Sequence, residues 1–293
     1  MIELFRKASP NQLQTILDLF PYDALKEKWQ IKGKKEDICL EIAGRRDFDE
    51  IAEFIHQNFD YCRQHIYVFK TKTELNNLLA ISIDGLEEIQ DSVNEKSVVK
   101  TFVAKHSVKV IIDTEPLQRS EIEFILPTQI EYFGKYVLLR FVIFERNFHN
   151  FFKGVNVLPI GKKDDREIEI IGQIHAETIA KNVKLEKADL HKGVKDLWDS
   201  DWMDSVKLKY NDSLSSNSKN MNENKGIRKH NREEYDKIKD LLLGKCYFVT
   251  EESEDIKPVG FTVDCSEGFI AFTSYSRNLG DYDYVVKKIL QHN

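Results

Sequence analysis

The sequence predicts an α+β fold, with a helical bundle at residues 1–90 and a mainly antiparallel β-sheet domain covered by helices at residues 96–293. Two patterns predict it. Apolar residues recur at helical spacing over roughly the first 80 positions, whereas beyond the acidic stretch Asp84–Glu95 they alternate as in half-buried strands. With 293 residues, 41% of them hydrophobic, the chain can bury a full core and is long for one domain.

The expected helices of residues 1–90 begin at residues that favour helix starts. Ser9 followed by Pro10 is typical of an N-cap and first helical position, and Asp47 is the expected cap of a later helix. Gly33 precedes a segment with one apolar face, and Thr73 is expected to cap a further helix. Short turns would join these segments into a bundle.

The expected strands follow residue 95. Two segments alternate between apolar and polar positions, with their apolar residues at Val108, Val110 and Ile112 and at Ile122, Phe124 and Leu126. The stretch Tyr136–Phe144 is apolar at nearly every position except Arg140, which predicts an interior strand covered on both faces. Further strands are expected near residues 246–250, 259–263 and 269–273, and helices through Leu190–Trp198, Tyr235–Leu242 and Tyr282–Leu290.

The segment Asn211–Asn224 interrupts these patterns. Its sequence, NDSLSSNSKNMNEN, is rich in serine and asparagine and has hardly an apolar residue. Such a segment cannot offset its own ordering entropy by burial. We therefore predict a mobile loop at residues 211–224.

Charge and cysteine usage restrict the partners and the compartment. The formal net charge is −6, so contact with nucleic acid or a membrane surface would need a local basic patch. No apolar run reaches the roughly 18 residues of a spanning helix, and the first residues lack the apolar core of a signal peptide. The four cysteines are widely spaced within apolar patterns, which favours free thiols. We expect a cytoplasmic protein with no membrane contact.

Local signatures of catalysis are missing from the sequence. It has no phosphate-binding glycine loop, no serine-hydrolase elbow and no zinc-binding or calcium-binding spacing, and its eight histidines are dispersed. Glu121 and Glu123 would share one strand face, where ordinary solvation explains them. No metal and no cofactor are predicted. An enzyme whose active-site residues are scattered in the β-rich domain stays open as an alternative.

One basic patch lies at an expected helix start and just past the end of the same helix. It comprises Lys32, Lys34, Lys35, Arg45 and Arg46. Cations oppose the dipole at a helix N-terminus, whereas its free N–H groups favour an anion such as phosphate. The patch therefore predicts contact with a phosphodiester backbone, and a solvated helix start balanced by Glu36 and Asp37 is the alternative explanation.

A second basic patch surrounds the expected loop. Its candidate nucleic-acid-binding residues are Lys225, Arg228, Lys229 and Arg232. Flexible cationic segments commonly bind polyanions or protein partners, and they also serve simply as soluble surface.

Two partial resemblances concern the N-terminal region. The segment IKGKKEDI resembles the second half of the SAP-type DNA-binding helical motif, in which a Gly-Lys-Lys run opens a helix. That resemblance covers Gln12–Ala43 and implies DNA contact by the lysines. The series of short helices is also similar in architecture to death-fold adaptor bundles, which implies a protein–protein adaptor.

These observations favour a non-catalytic binding protein that contacts nucleic acid or a protein partner through local basic patches. The alternatives are an enzyme with a dispersed active site, acting on nucleic acid, and a protein–protein adaptor with a death-fold-like helical domain. The two visible patches favour the first interpretation over catalysis.

Overall fold

The computed structural model describes residues 4–72, 83, 85–94, 97–144, 151, 156–159, 166–180, 182–211, 216–220, 226–254 and 256–293. Helices and one large antiparallel sheet share the chain, as the predicted α+β class requires. The helix expected after Thr73 falls on residues 73–82, which lie outside the described residues.

Short helices occupy the N-terminal region. They are α1 (Pro10–Leu17), α2 (Tyr22–Trp29), α3 (Lys35–Arg45) and α4 (Phe48–Asn58), with a 3-10 turn (Phe59–Tyr61) after α4. The predicted caps are confirmed: Gln12 N donates to Ser9 Oγ at 3.3 Å, Ser9 N donates to Gln12 Oε1 at 2.8 Å, and Glu50 N donates to Asp47 Oδ1 at 3.1 Å. Each bond satisfies a backbone N–H at or beside a helix start that lacks a partner within the helix.

The sheet contains strands from nearly the whole length of the chain. They are β1 (Gln64–Lys70), β2 (Leu86–Val93), β3 (Ser97–Ile112), β4 (Gln118–Phe133), β5 (Tyr136–Val142), β6 (Val157–Pro159), β7 (Glu186–Lys187), β8 (Met203–Asn211), β9 (Ser216–Asn220), β10 (Leu242–Leu243), β11 (Lys245–Thr250), β12 (Gly260–Asp264) and β13 (Phe269–Phe272). Their order is β10-β8-β11-β12-β13-β1-β5-β4-β3-β2, with β6 beside β3, β7 beside β1 and β9 beside β8.

The predicted strand patterns are confirmed. The alternating residues of β3 and β4 are buried, and β5 is buried at every position from Tyr136 to Val142. β5 pairs with β1 and β4 along its edges, and its side chains pack into buried clusters on both faces, with Leu138 in one cluster and Val137 and Leu139 in another. The strands expected after residue 245 are also present as β11, β12 and β13.

The remaining helices cover the sheet. They are α5 (Arg166–Ala180), α6 (His191–Asp199), α7 (Ile227–His230), α8 (Arg232–Ile238) and α9 (Asp281–His292). The predicted helix running to Leu242 is wrong at its end, because α8 stops at Ile238 and Leu242 pairs with Asn211 in the sheet. Every helix in the described ranges is too short or too polar to cross a bilayer.

The N-terminal helices pack on the sheet. Leu13, Ile42 and Ile55 belong to the same buried cluster as Val110 and Phe124 of the β3–β4 hairpin. The contact is apolar and extensive, with each such buried side chain contributing roughly 1.5–3 kcal/mol.

The helical bundle expected at residues 1–90 is not confirmed as an arrangement. Two strands, β1 and β2, lie within that range and join the sheet. β1 pairs with β5 and β13, both of which lie beyond residue 130. The boundary expected near residue 95 falls between two paired strands, β2 and β3, and it stays a prediction.

The segment 211–224, expected to be mobile, is described in part. Ser216–Asn220 forms β9 and pairs with β8, and residues 212–215 and 221–224 lie outside the described residues. Its mobility stays a prediction.

Candidate binding cleft

A cleft of about 710 Å³ opens where α4, the sheet and the start of α9 meet. One wall is α4 with the 3-10 turn, the floor is formed by β3, β4 and β5, and the opposite wall is the N-terminal part of α9. The edge strand β2 borders the opening. Polar and charged side chains line most of this cleft.

Arg140 is the central residue of the cleft floor. It projects from the middle of β5 and is only 3% exposed. Its Nη2 donates to Glu131 Oε2 and to Asp283 Oδ1, each at 2.7 Å, and its Nη1 lies 3.4 Å from Asp60 Oδ1. Burial opposes the charge of Arg140, but the Glu131, Asp283 and Asp60 carboxylates outweigh it and raise the pKa above its ordinary value.

Asp60 connects the 3-10 turn to the start of α9. Its Oδ2 accepts from the backbone N–H groups of Tyr282 at 3.0 Å and Asp283 at 3.3 Å, so it caps that helix from a distant part of the chain. Burial raises the pKa of Asp60 to about 6, against the lowering effect of Arg140. The carboxylate is therefore mostly ionised at neutral pH and titrates just below it.

Lys287 completes the network from the next turn of α9. Its Nζ donates to Asp283 Oδ2 at 2.7 Å and lies 3.0 Å from Glu131 Oε1. Burial lowers its pKa, but the Glu131 and Asp283 carboxylates outweigh burial and the net effect is a raised pKa. Lys287 is therefore charged.

Neutral polar groups continue the floor beside these charges. Thr101 and Gln129 are buried, and Gln129 Nε2 donates to Thr101 Oγ1 at 3.0 Å and to the His56 carbonyl at 3.2 Å. The His56 ring is held by a 2.7 Å bond between its Nδ1 and Thr101 Oγ1. Burial lowers the pKa of His56, so the ring is neutral at pH 7.

The charged groups that line the cleft are unequal in number. Among the described residues, two are cations, Arg140 and Lys287, and five are carboxylates, namely Glu53, Asp60, Asp91, Glu131 and Asp283. With His56 neutral, the formal net charge of these described lining residues is −3. A concave site with this excess concentrates a negative potential, which attracts cations and repels phosphates.

The first predicted basic patch is divided between the two ends of α3. Lys32 and Lys34 are exposed at its start, whereas Lys35 Nζ donates to the Asp18 carbonyl at 2.6 Å. The backbone N–H of Lys34 donates to Asp37 Oδ2 at 3.3 Å, so a carboxylate already occupies part of the expected anion position.

Arg45 and Arg46 lie at the opposite end of α3, about 15 Å along the helix. Arg45 pairs with Glu41 at 2.6 Å, and Arg46 lies over the Phe48 ring and reaches the Ala8 carbonyl. The structure therefore does not bring the five residues into one cluster.

The second predicted patch is also divided. Arg228 is 3% exposed and pairs with Asp201, so it is not part of an accessible cationic surface. Its burial follows from α7, whose first N–H groups donate to the buried Asp204 carboxylate. Lys225 lies outside the described residues.

Lys229 and Arg232 are exposed, but each already contacts a neighbouring side chain. Lys229 Nζ pairs with Glu251 Oε2 at 2.5 Å, and the Arg232 guanidinium lies 4.7 Å from the Tyr235 ring centroid, with its Nε 3.6 Å from Asp236.

Sequence reasoning missed the cleft although one signal was present. Arg140 interrupts the most apolar run of the chain, and an arginine within a strand covered on both faces must be paired with carboxylates. The identity of those carboxylates was not accessible, because Asp60 and Asp283 are 80 and 143 residues away in the chain.

A second cluster of titratable groups joins α5 to the sheet. The Tyr67 hydroxyl donates to Glu167 Oε2 at 3.0 Å, and His65 Nδ1 lies 3.0 Å from the same carboxylate. Aromatic contacts with Phe269 hold both rings. Among the described residues, no grouping of histidine, cysteine, aspartate and glutamate has a geometry that could hold a metal ion.

Comparison with known proteins does not assign a function to the chain. No family model matches the chain, and a search of curated proteins finds no significant match.

The raised pKa of Asp60 predicts a pH-dependent stability. The folded carboxyl binds a proton more tightly than the unfolded one, so its contribution favours folding below about pH 4 and is lost as the pH rises through about 6. Relative to Asp60→Asn, the free energy of unfolding of the wild type should fall by roughly 3 kcal/mol between about pH 3 and about pH 7. Urea denaturation of both proteins across this range measures the difference, and a constant difference would contradict the buried position of Asp60.

Proposed function

We propose that the protein is a non-catalytic binding protein that accepts a basic segment of a protein partner in the cleft. The observation that carries this proposal is the excess of five carboxylates over two cations among the described residues of a concave site, with both cations already paired. Negative potential of this kind accelerates encounter with a positive partner and disfavours nucleic acid.

The two exposed carboxylates of the cleft differ in the ion pairs and hydrogen bonds that they already form. Asp91 is exposed and forms no ion pair within the part of the chain that the structure describes. Glu53 is 47% exposed, lies 3.7 Å from Lys28 Nζ and accepts from Gln57 Nε2 at 3.0 Å. A lysine or arginine of the partner would meet these two first, while Asp60 holds its place beside Arg140.

The rim of the cleft suits the stem of a long cationic side chain. Leu279 is 50% exposed and lines the cleft just before the acidic start of α9. Lysine and arginine carry an aliphatic stem that packs on apolar surface while the charged end reaches a carboxylate. A peptide segment with such side chains can contact both Leu279 and the carboxylates, whereas an inorganic cation would contact the carboxylates alone.

The test is fluorescence anisotropy of a labelled oligolysine peptide at low salt. Glu53→Gln combined with Asp91→Asn should weaken binding by about threefold to tenfold, because each exposed ion pair contributes roughly 0.2–1 kcal/mol. The matched control is Asp23→Asn combined with Glu27→Gln on α2, which removes the same charge from exposed positions outside the cleft.

The control should bind like the wild type, apart from a small effect of net charge, and added salt should weaken all three proteins. Equal weakening in both double variants would reject the cleft as the site. Tight binding of spermine with no preference for the peptide would identify a small polyamine as the ligand and reject a protein partner.

Nucleic-acid contact through α3 is the second candidate function. Lys32 and Lys34 are exposed, and neither side chain pairs with another residue in the described ranges. Lys32→Glu combined with Lys34→Glu should abolish binding to duplex DNA at low salt, since each lost phosphate contact lowers the slope of log affinity against log salt by about 0.9. Absence of wild-type binding to duplex and single strands would reject this candidate.

A further inference from the structure

Lys287 occupies the deepest acidic position of the cleft. Its ammonium group lies between Asp283 Oδ2 at 2.7 Å and Glu131 Oε1 at 3.0 Å. Glu131 is buried on the floor, with 3% of its side chain exposed, whereas 26% of the Lys287 side chain is exposed. A flexible lysine that is partly solvated can leave such a position by rotating its stem.

Glu131 uses its two oxygens unequally. Oε2 accepts a 2.7 Å hydrogen bond from the buried Arg140, whereas Oε1 lies 3.0 Å from the Nζ of Lys287, which is partly exposed. A buried carboxylate oxygen needs a charged or hydrogen-bonding partner, and an ammonium group of another lysine can take the place of Lys287 at Oε1.

We propose that the Lys287 ammonium fills a subsite that can bind a lysine side chain of the partner, and that such a lysine displaces Lys287 from Glu131. This inference rests on the proposed function. The incoming ammonium takes the position at Glu131 Oε1, and Lys287 remains on Asp283 or turns to solvent. Arg140 stays in place, because it is buried and held by three carboxylates.

Three variants of α9 test the displacement with the same oligolysine probe. Lys287→Met removes the occupant, and Lys288→Met removes an equal charge from the adjacent position, which does not line the cleft. Lys287→Arg keeps the charge and replaces the ammonium with a guanidinium that bonds carboxylates in a bidentate manner. Thermal melts verify that each variant is folded.

We expect Lys287→Met to bind the peptide about threefold to tenfold more tightly than Lys288→Met does, and Lys287→Arg to bind no more tightly than the wild type. Binding by the wild type with equal affinities for Lys287→Met and Lys288→Met would overturn the inference and leave the proposed function standing. Failure of both the wild type and Lys287→Met to bind would overturn the proposed function itself.

Discussion

Replacing Arg140 with methionine is expected to lower the free energy of unfolding by about 3–5 kcal/mol, because it leaves buried carboxylates without their central cation. Arg140 bonds Glu131 and Asp283 and lies beside Asp60, and methionine fills much of its volume but supplies no donor. Urea denaturation at neutral pH measures the loss. The deficit should shrink on acidification, since protonation removes the uncompensated negative charge.

Two control variants separate the buried network from general effects of losing an arginine. Arg6→Met removes a half-exposed arginine paired with Asp49 and should change stability by less than about 1 kcal/mol. Arg140→Met combined with Glu131→Gln should recover part of the loss, because the buried charge is removed with its partner. A loss below about 1 kcal/mol for Arg140→Met alone would show that the network is not buried as described.

Residues 1–90 expressed alone are expected to lack a cooperative thermal unfolding transition. β1 has its neighbours β5 and β13 outside this fragment, so both of its edges would be unpaired. The apolar faces of α1, α3 and α4 would also lose Val110 and Phe124 of the β3–β4 hairpin. Circular dichroism melts of the fragment and the full chain under one condition measure this directly.

A sharp melt of the fragment, with a helical spectrum, would instead establish an independent N-terminal unit and the boundary near residue 95. Such a result would require the apolar surface that now faces β3 and β4 to be covered by rearrangement. A broad, non-cooperative change with weak helicity is the expected result.

Much of the secondary structure follows from local signals. The caps at Ser9 and Asp47 are determined by residues three positions apart, and the alternation in β3 and β4 reflects one buried and one solvated face. The continuous apolar run of β5 likewise reports burial on both faces. Information of this kind is contained within a few neighbouring residues, so sequence reasoning retrieves it.

Strand order and the composition of the cleft depend on contacts between distant residues. β1 was not expected as a strand, because it follows directly on the helical region and its partners come from later in the chain. The basic patches were grouped by proximity in sequence, whereas α3 separates its terminal cations and α7 turns Arg228 inward. Sequence spacing therefore showed neither this separation nor the burial of Arg228.

The buried charge network also bears on function through its energetic cost. Apolar residues of similar volume in place of a buried ion-pair network are often neutral or stabilising, so packing alone does not explain why Arg140, Glu131 and Asp60 are present. Under the proposed function, these paired groups would hold the cleft carboxylates in position before a cationic ligand arrives.

Carbodiimide coupling of the oligolysine peptide to the native protein, followed by mass-spectrometric assignment of the coupled residues, tests the central claim most directly. The reagent activates accessible carboxylates and forms an amide without a spacer, so coupling is fastest where a bound amine lies beside the carboxylate. Binding in the cleft predicts coupling concentrated at Asp91 and Glu53, with little at Asp23 and Glu27, which are also exposed but lie outside the cleft. Coupling spread over exposed carboxylates in proportion to their exposure, with no enrichment at the cleft, would contradict it.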